Sequence, residues 1–310
     1  MPYQYKTFTY ASSDGKNHIA AHLYTPTDKA VRGIVQIVHD LCDYTLRYEE
    51  LADVLCHAGY ALAGADFLGH GKTARHSSDL GFFAAEDGAD TLVTDLHKMT
   101  LLLRAQFKGA PIILTGIGMG AAAARVAAAS YYRDIDGVAL LSPSKPPLAF
   151  LWRMIANRTA RKIGERAHSP FLDRVVYGFN NWKIKRGDTV GRDWLSRNEE
   201  AVAATVIDPL SNFRPTALAY ADMFVLCERA SSSRWGKDYP KSLPTLVAGG
   251  GADPVGCFGK APHAIASRLS AIGVKDVTLK IYPEMRHELH TDTDRARFFE
   301  DFLTWIVERF

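Results

Sequence analysis

The stretch that most constrains this chain is Pro111-Ile-Ile-Leu-Thr-Gly-Ile-Gly-Met-Gly120, which runs directly into Ala121-Ala-Ala-Ala-Arg-Val-Ala-Ala-Ala129. A short apolar run bounded by Pro111 and Gly116 reads as a fully buried strand. The alanine-rich segment after it has high helix propensity, and the alternate glycines supply a tight turn between the two. A strand turning this sharply into a helix presents its central turn residue at the helix N-terminus. Here that residue is Gly118, which has no side chain to present.

The rest of the chain supplies the sheet. Residues 5–10 and 19–24 are β-rich runs around Ser12-Ser-Asp-Gly15, an expected antiparallel hairpin. Residues 33–39, 60–65, 137–142, 243–251 and 277–282 read as further strands. Apolar periodicity predicts helices over 48–58, 91–107 and 293–308. Gly59 is placed to stop the first of them. Strands alternating with helices imply a mostly parallel sheet covered on both faces. Between residues 145 and 235 there is no clean buried strand, only helix-like stretches such as 148–163 and 214–230 behind Pro146-Pro147. We read 145–235 as a helical cap inserted into a core of 1–144 and 236–310, the whole forming one integrated domain.

Composition narrows the function. With 310 residues, 47% of them hydrophobic and 23% charged, the chain can bury a large core. Its formal charge of +3 is spread out, with no basic block of the kind that binds nucleic acid. Cys42, Cys56, Cys227 and Cys257 show neither C-x-x-C nor zinc spacing, so reduced thiols are expected. The N-terminus lacks an apolar signal region and no apolar run is long enough to span a bilayer, so a cytoplasmic protein is expected, with no integral membrane association. Nothing in the pattern calls for a metal or an organic cofactor.

In such a sheet chemistry gathers at the carboxyl ends of the strands. Those ends carry His39-Asp40-Leu41, Asp66, the turn at Gly118, Ser142, Asp253 and His287. Asp253 and His287 follow Gly118 in the chain order of a nucleophile, acid and histidine triad.

Several motifs then resemble one family. They are His39-Asp-Leu-Cys-Asp-Tyr-Thr-Leu-Arg-Tyr48, Gly69-His-Gly71, Asp95-Leu96, Asp193-Trp-Leu-Ser-Arg197, Asp208-Pro-Leu210, Asp253-Pro-Val-Gly256 and Arg286-His-Glu288. Nearly the whole chain is similar to the bacterial monoglyceride lipase or lysophospholipase branch of the α/β-hydrolases, of the serine aminopeptidase S33 type. The resemblance implies an α/β-hydrolase fold and a carboxylic ester hydrolase lineage. It also implies a site of Gly118, Asp253 and His287, an oxyanion hole from the backbone N–H groups of Leu41 and Met119, and a small hydrophobic acyl ester or lipid-like ligand.

The departures sit at that site. The family elbow Gly-His-Ser-Met-Gly reads Gly116-Ile-Gly-Met-Gly120, so the serine nucleophile is missing at Gly118. The family His-Gly of the oxyanion loop reads His39-Asp40, and the histidine that follows the loop's acidic residue is Tyr44. The expectation is a protein impaired or inactive by the serine route. Three alternatives stay open: an ester hydrolase in which His287 activates water, a parental serine deliberately replaced by glycine, and a non-catalytic acyl-ligand-binding or scaffold protein. Gly118 also has a bland reading as a turn glycine, and His70 as a residue that shapes its loop. Cys42 beside the oxyanion loop lacks a neighbouring base and reads as buried and inert. Phe150, Trp152, Phe179, Trp182, Trp194 and Phe213 either line an acyl pocket or pack cap on core. Arg153, Arg158, Arg161, Lys162 and Arg166 either favour an anionic head group or form a solvated face.

Overall fold

The computed structural model describes residues 2–178, 180, 181, 184 and 191–310. The chain begins with β1 (Tyr3–Ala11), β2 (His18–Pro26) and β3 (Gly33–Val38), then α1 (Glu49–His57), β4 (Tyr60–Ala65) and α2 (Gly88–Gln106). The turn at Gly118 joins β5 (Ile112–Ile117) to α3 (Met119–Ser130), and β6 (Gly137–Leu141) follows. Next come α4 (Ala149–Ile163), α5 (Pro170–Tyr177), α6 (Glu199–Ile207), α7 (Ala217–Ser231) and α8 (Ser233–Asp238). The chain closes with β7 (Thr245–Gly250), α9 (Lys260–Ala271), β8 (Val277–Tyr282) and α10 (Arg295–Val307).

The eight strands form one sheet in the order β1-β2-β4-β3-β5-β6-β7-β8. β1 pairs with β2, and β2 with β4, in antiparallel fashion; every other neighbouring pair is parallel. The expected hairpin is present, with Tyr10 opposite Ile19. Its turn is fastened to α2 by Asp95, which accepts from Ser12 Oγ and Ser13 N–H, each at 2.6 Å. One face of the sheet is covered by α2, α3, α7, α8 and α9, through residues such as Met99, Ala124, Leu226, Trp235 and Leu269. The other is covered by α1 and α10, through Leu51, Leu55, Phe298, Phe302 and Trp305. The buried alanines of α3 let that helix lie close against the strands beneath it.

Some boundaries differ from the sequence expectation for local reasons. α2 starts earlier, at Gly88, where Asp222 from α7 accepts the Ala89 N–H. α7 starts later than 214, because Pro215 delays it and Thr216 caps it by accepting from Ala219 N–H. α5, α6, α8 and α9 were not expected. α5 carries a readable start signal, since the Ser169 hydroxyl accepts from Leu172 N–H and Pro170 opens the helix. Among the described residues no helix is long and apolar enough to cross a membrane.

Candidate functional site

Gly118 sits between β5 and α3 at φ 54° and ψ −114°, a conformation that glycine tolerates and L side chains rarely adopt. Its N–H donates to Leu141 O at 3.0 Å, which ties the turn to β6. The flanking glycines are there for space: a Cβ at 116 would meet Gly120 O at 2.3 Å, and one at 120 would meet Val38 O at 2.0 Å.

The space over Gly118 is not empty. A Cβ built there would fall 2.2 Å from Cγ and from both carboxylate oxygens of Asp40. Asp40 follows β3, and its side chain reaches across to the turn. Asp40 Oδ1 accepts the Met119 N–H at 2.5 Å. Its Oδ2 accepts from His287 Nε2 at 2.9 Å, while His287 Nδ1 donates to Asp253 Oδ2, also at 2.9 Å. One imidazole therefore bridges two carboxylates. Sequence reasoning placed a carboxylate near the oxyanion position but not its direction. The structure sends it into the volume a side chain at 118 would occupy and onto the Met119 N–H.

Burial of His287 opposes its charged form. The Asp253 carboxylate, its hydrogen bond, and then Asp40 outweigh that burial and hold the imidazole pKa well above 6.5. The ring thus carries both protons at neutral pH. Its backbone is fixed by Ser142, whose hydroxyl donates to His287 O at 2.5 Å. Trp194 packs beside the imidazole, with ring centroids 5.3 Å apart.

The loop bearing Asp40 is held to the loop bearing His287 by a partly buried cation. Arg47 donates to Asp43 at 2.9 Å and to both oxygens of Glu288 at 2.7 Å. Tyr48 donates a short hydrogen bond to the second oxygen of Asp43. Burial would raise the Glu288 pKa, but the Arg47 guanidinium pulls it down to about 2. This clamp was visible in the sequence only as two separate motif fragments.

Asp40, Leu41, Gly118, Met119 and His287 line one small cavity of about 70 Å³, together with Cys42, Tyr177 and Trp194. Val176, Met223 and Val255 line it as well, and they also line a neighbouring, mostly apolar cavity of about 420 Å³ with Trp152, Phe224 and Pro254. Of the aromatic candidates, Trp194 and Trp152 thus face cavities. Phe150 points outward, and Phe213 packs edge-on against His70 while also bordering an open cleft beside Arg192. Phe179 and Trp182 lie outside the described residues.

The remaining strand-end residues have structural partners. Asp66 accepts from Thr45 N–H at 2.9 Å and Lys72 N–H at 2.7 Å, and pairs with His22. His70 accepts the Cys42 N–H at 3.2 Å and is bonded to Leu68 O; burial lowers its pKa to about 3, so it stays neutral. The Cys42 thiol is buried and pushed up to about 12, far from a reactive thiolate.

Comparison with known proteins places this geometry in a family. The family described as serine aminopeptidase, S33, matches residues 29–294. The chain is 23% identical over 304 residues to the monoglyceride lipase of Homo sapiens, covering 96% of this chain and 89% of that protein. It is 24% identical to the monoacylglycerol lipase of Mycolicibacterium smegmatis, covering 94% of each. Among solved structures, a thermostable carboxyl esterase from Bacillus coagulans in complex with glycerol superimposes with a TM-score of 0.90 at 29% identity, covering 98% of each chain.

Proposed function

Because this chain belongs to the serine aminopeptidase S33 family of α/β-hydrolases and is related to the monoglyceride lipases, we propose that it binds a monoacyl ester or a similar small hydrophobic molecule without cleaving it by acyl transfer. The observation that carries this reading is the Asp40 carboxylate, which stands where a nucleophile at 118 would stand. In this reading residues 145–235 act as the cap over the ligand, with Asp253, His287 and the Leu41 and Met119 backbone as remnants of the hydrolytic site.

Three steps of serine catalysis are blocked together. Gly118 has no atom to attack a carbonyl. The Met119 N–H, a donor for a tetrahedral oxyanion, is already engaged by Asp40, and losing one such donor ordinarily costs about 10²–10³ in rate. His287 already carries the proton that a general base must accept. The last point also weighs against water activation by His287, which requires a neutral imidazole with a free Nε2. A lone exchange of serine for glycine leaves Asp40 unexplained. A carboxylate gained at 40 and a side chain lost at 118 are complementary changes within one volume.

The apolar cavity of about 420 Å³ favours ligand binding. It lies within the roughly 300–1,000 Å³ range of small-molecule sites, and Val176, Met223 and Phe224 suit an acyl chain. The test is a melting-temperature series with monoacylglycerols of graded chain length, with the recovered lipid assayed for cleavage. The reading expects saturable stabilisation and intact lipid. Absence of any shift, or release of fatty acid in proportion to protein, would sink it.

A further inference from the structure

We infer that Tyr5 is an acyl-accepting nucleophile, poised by His22 and Asp66 at the edge of the sheet, with β2, β4 and β3 between it and the strand that leads to Gly118. The strand register builds the row. Residues two apart on a strand share a face. Tyr5 on β1 lies opposite Tyr24, two residues beyond His22 on β2. His22 in turn lies opposite Gly64, two residues before Asp66 at the end of β4. The three side chains therefore fall on one diagonal of one face. Tyr5 Oη donates to His22 Nδ1 at 2.7 Å, and His22 Nε2 donates to Asp66 Oδ2 at 3.2 Å.

His22 and Asp66 are buried, whereas Tyr5 is 42% exposed. A carboxylate only accepts, so Asp66 places the imidazole proton on Nε2 and leaves the Nδ1 lone pair for the phenol. Asp66 keeps its charge: burial opposes it, but the hydrogen bond from His22, the nearby imidazoles and the Thr45 N–H bring its pKa down to about 2. A hydroxyl, the base that takes its proton and the acid that orients the base thus stand in sequence, with a phenol as the hydroxyl. Burial, with the charges of Asp66 and Glu49, raises the phenol pKa above its usual 10, so the proton stays on Tyr5 until the base removes it. In the step itself Tyr5 Oη bonds to an acyl carbon while its proton passes to His22 Nδ1. The bond from that carbon to the leaving oxygen breaks, the leaving group departs as its oxide, and His22 returns the proton to solvent. Tyr5 stands on an open surface that gives a poor leaving group no support. The substrate class is therefore an activated aryl ester, and the product is an O-acyl tyrosine.

The chain carries its own control. Tyr132 is 41% exposed, and its hydroxyl has no hydrogen-bond partner among the described residues. The test treats the full chain with nitrophenyl acetate at neutral pH and follows acetylation of both tyrosines by peptide mass spectrometry. General-base help is worth roughly 10²–10⁴ in rate, so Tyr5 should acetylate at least about 100-fold faster than Tyr132. Hydroxylamine should remove the label, as it does from a phenyl ester and not from an amide on Lys6. Tyr5→Phe should remove the fast equivalent of nitrophenol. His22→Gln keeps a hydrogen-bonding side chain that takes no proton, and should slow Tyr5 to the rate of Tyr132. Equal rates for the two tyrosines in the unaltered protein, or a Tyr5 rate that His22→Gln leaves unchanged, would overturn the inference. The first comparison decides the matter even where His22→Gln does not fold. Because the step involves neither Gly118 nor His287, its failure leaves the ligand reading untouched, and the reverse holds too.

Discussion

Asp40 and Asp253 approach His287 from opposite ring nitrogens at equal distances of 2.9 Å, so the histidine is shared between a carboxylate at the end of β3 and one after β7. In a working triad one of those two nitrogens faces a hydroxyl. Here both face carboxylates, which hold the ring as a buried cation.

That arrangement fixes a pH dependence. The folded-state pKa of His287 lies above its unfolded value near 6.5, so its contribution to stability is complete below that value. It is lost as pH rises through the folded pKa. Histidine-selective NMR should show a midpoint well above 6.5, and Asp40→Asn should lower it and move the alkaline loss of stability to lower pH. A midpoint at or below 6.5 in the unaltered protein would contradict the geometry.

The Arg47 clamp makes a second prediction at the acid end. Glu288 ionises near 2 when folded against an ordinary 4.5, so its stabilisation is present above 4.5 and lost as pH falls toward 2. Arg47→Met leaves two buried carboxylates without their cation and should cost roughly 3–5 kcal/mol in denaturant melts. Adding Glu288→Leu to Arg47→Met should recover part of that loss. If Arg47→Met alone is neutral, the clamp does not hold the two loops together.

Thiol chemistry offers a quick check of burial. Cys42 and Cys56 are pushed up to about 12 and Cys227 to about 11 by burial, whereas Cys257 is exposed. A disulfide reagent should therefore label one thiol rapidly in the native protein and all four after denaturation. Peptide mapping should place the native label on Cys257; rapid labelling of Cys42 would contradict the buried site.

Much of this was legible in the chain, and the limit lay in contacts between distant residues. Residues 33–38, 112–117 and 245–250 read as buried strands because an unbroken apolar run has few other fates. Placement at strand ends, chain order and the resemblance together brought Gly118, Asp253 and His287 toward one place. α9 escaped because Lys260, His263 and Arg268 interrupt its apolar pattern, and only its crossover position between two parallel strands demands it. The direction of Asp40 depends on the volume left by a glycine far along the chain, and the Arg47–Glu288 bond spans 241 residues. The hint was the pair of departures that the resemblance implies, a carboxylate at 40 and a glycine at 118, taken together.

That pairing yields the most direct test. A side chain at 118 would meet Asp40 at 2.2 Å, so Gly118→Ser alone must displace the carboxylate; it should lose roughly 1–3 kcal/mol and stay silent. Asp40→Gly/Gly118→Ser clears the volume and frees the Met119 N–H and His287 Nε2. Hydrolysis of an aryl acetate and a monoacylglycerol should be measured for the unaltered protein, each single variant and the double variant. The account predicts turnover in the double variant only, at least on the order of 100-fold above the others. Turnover by the unaltered protein that disappears in His287→Ala, or a Gly118→Ser variant as active as the double, would contradict it.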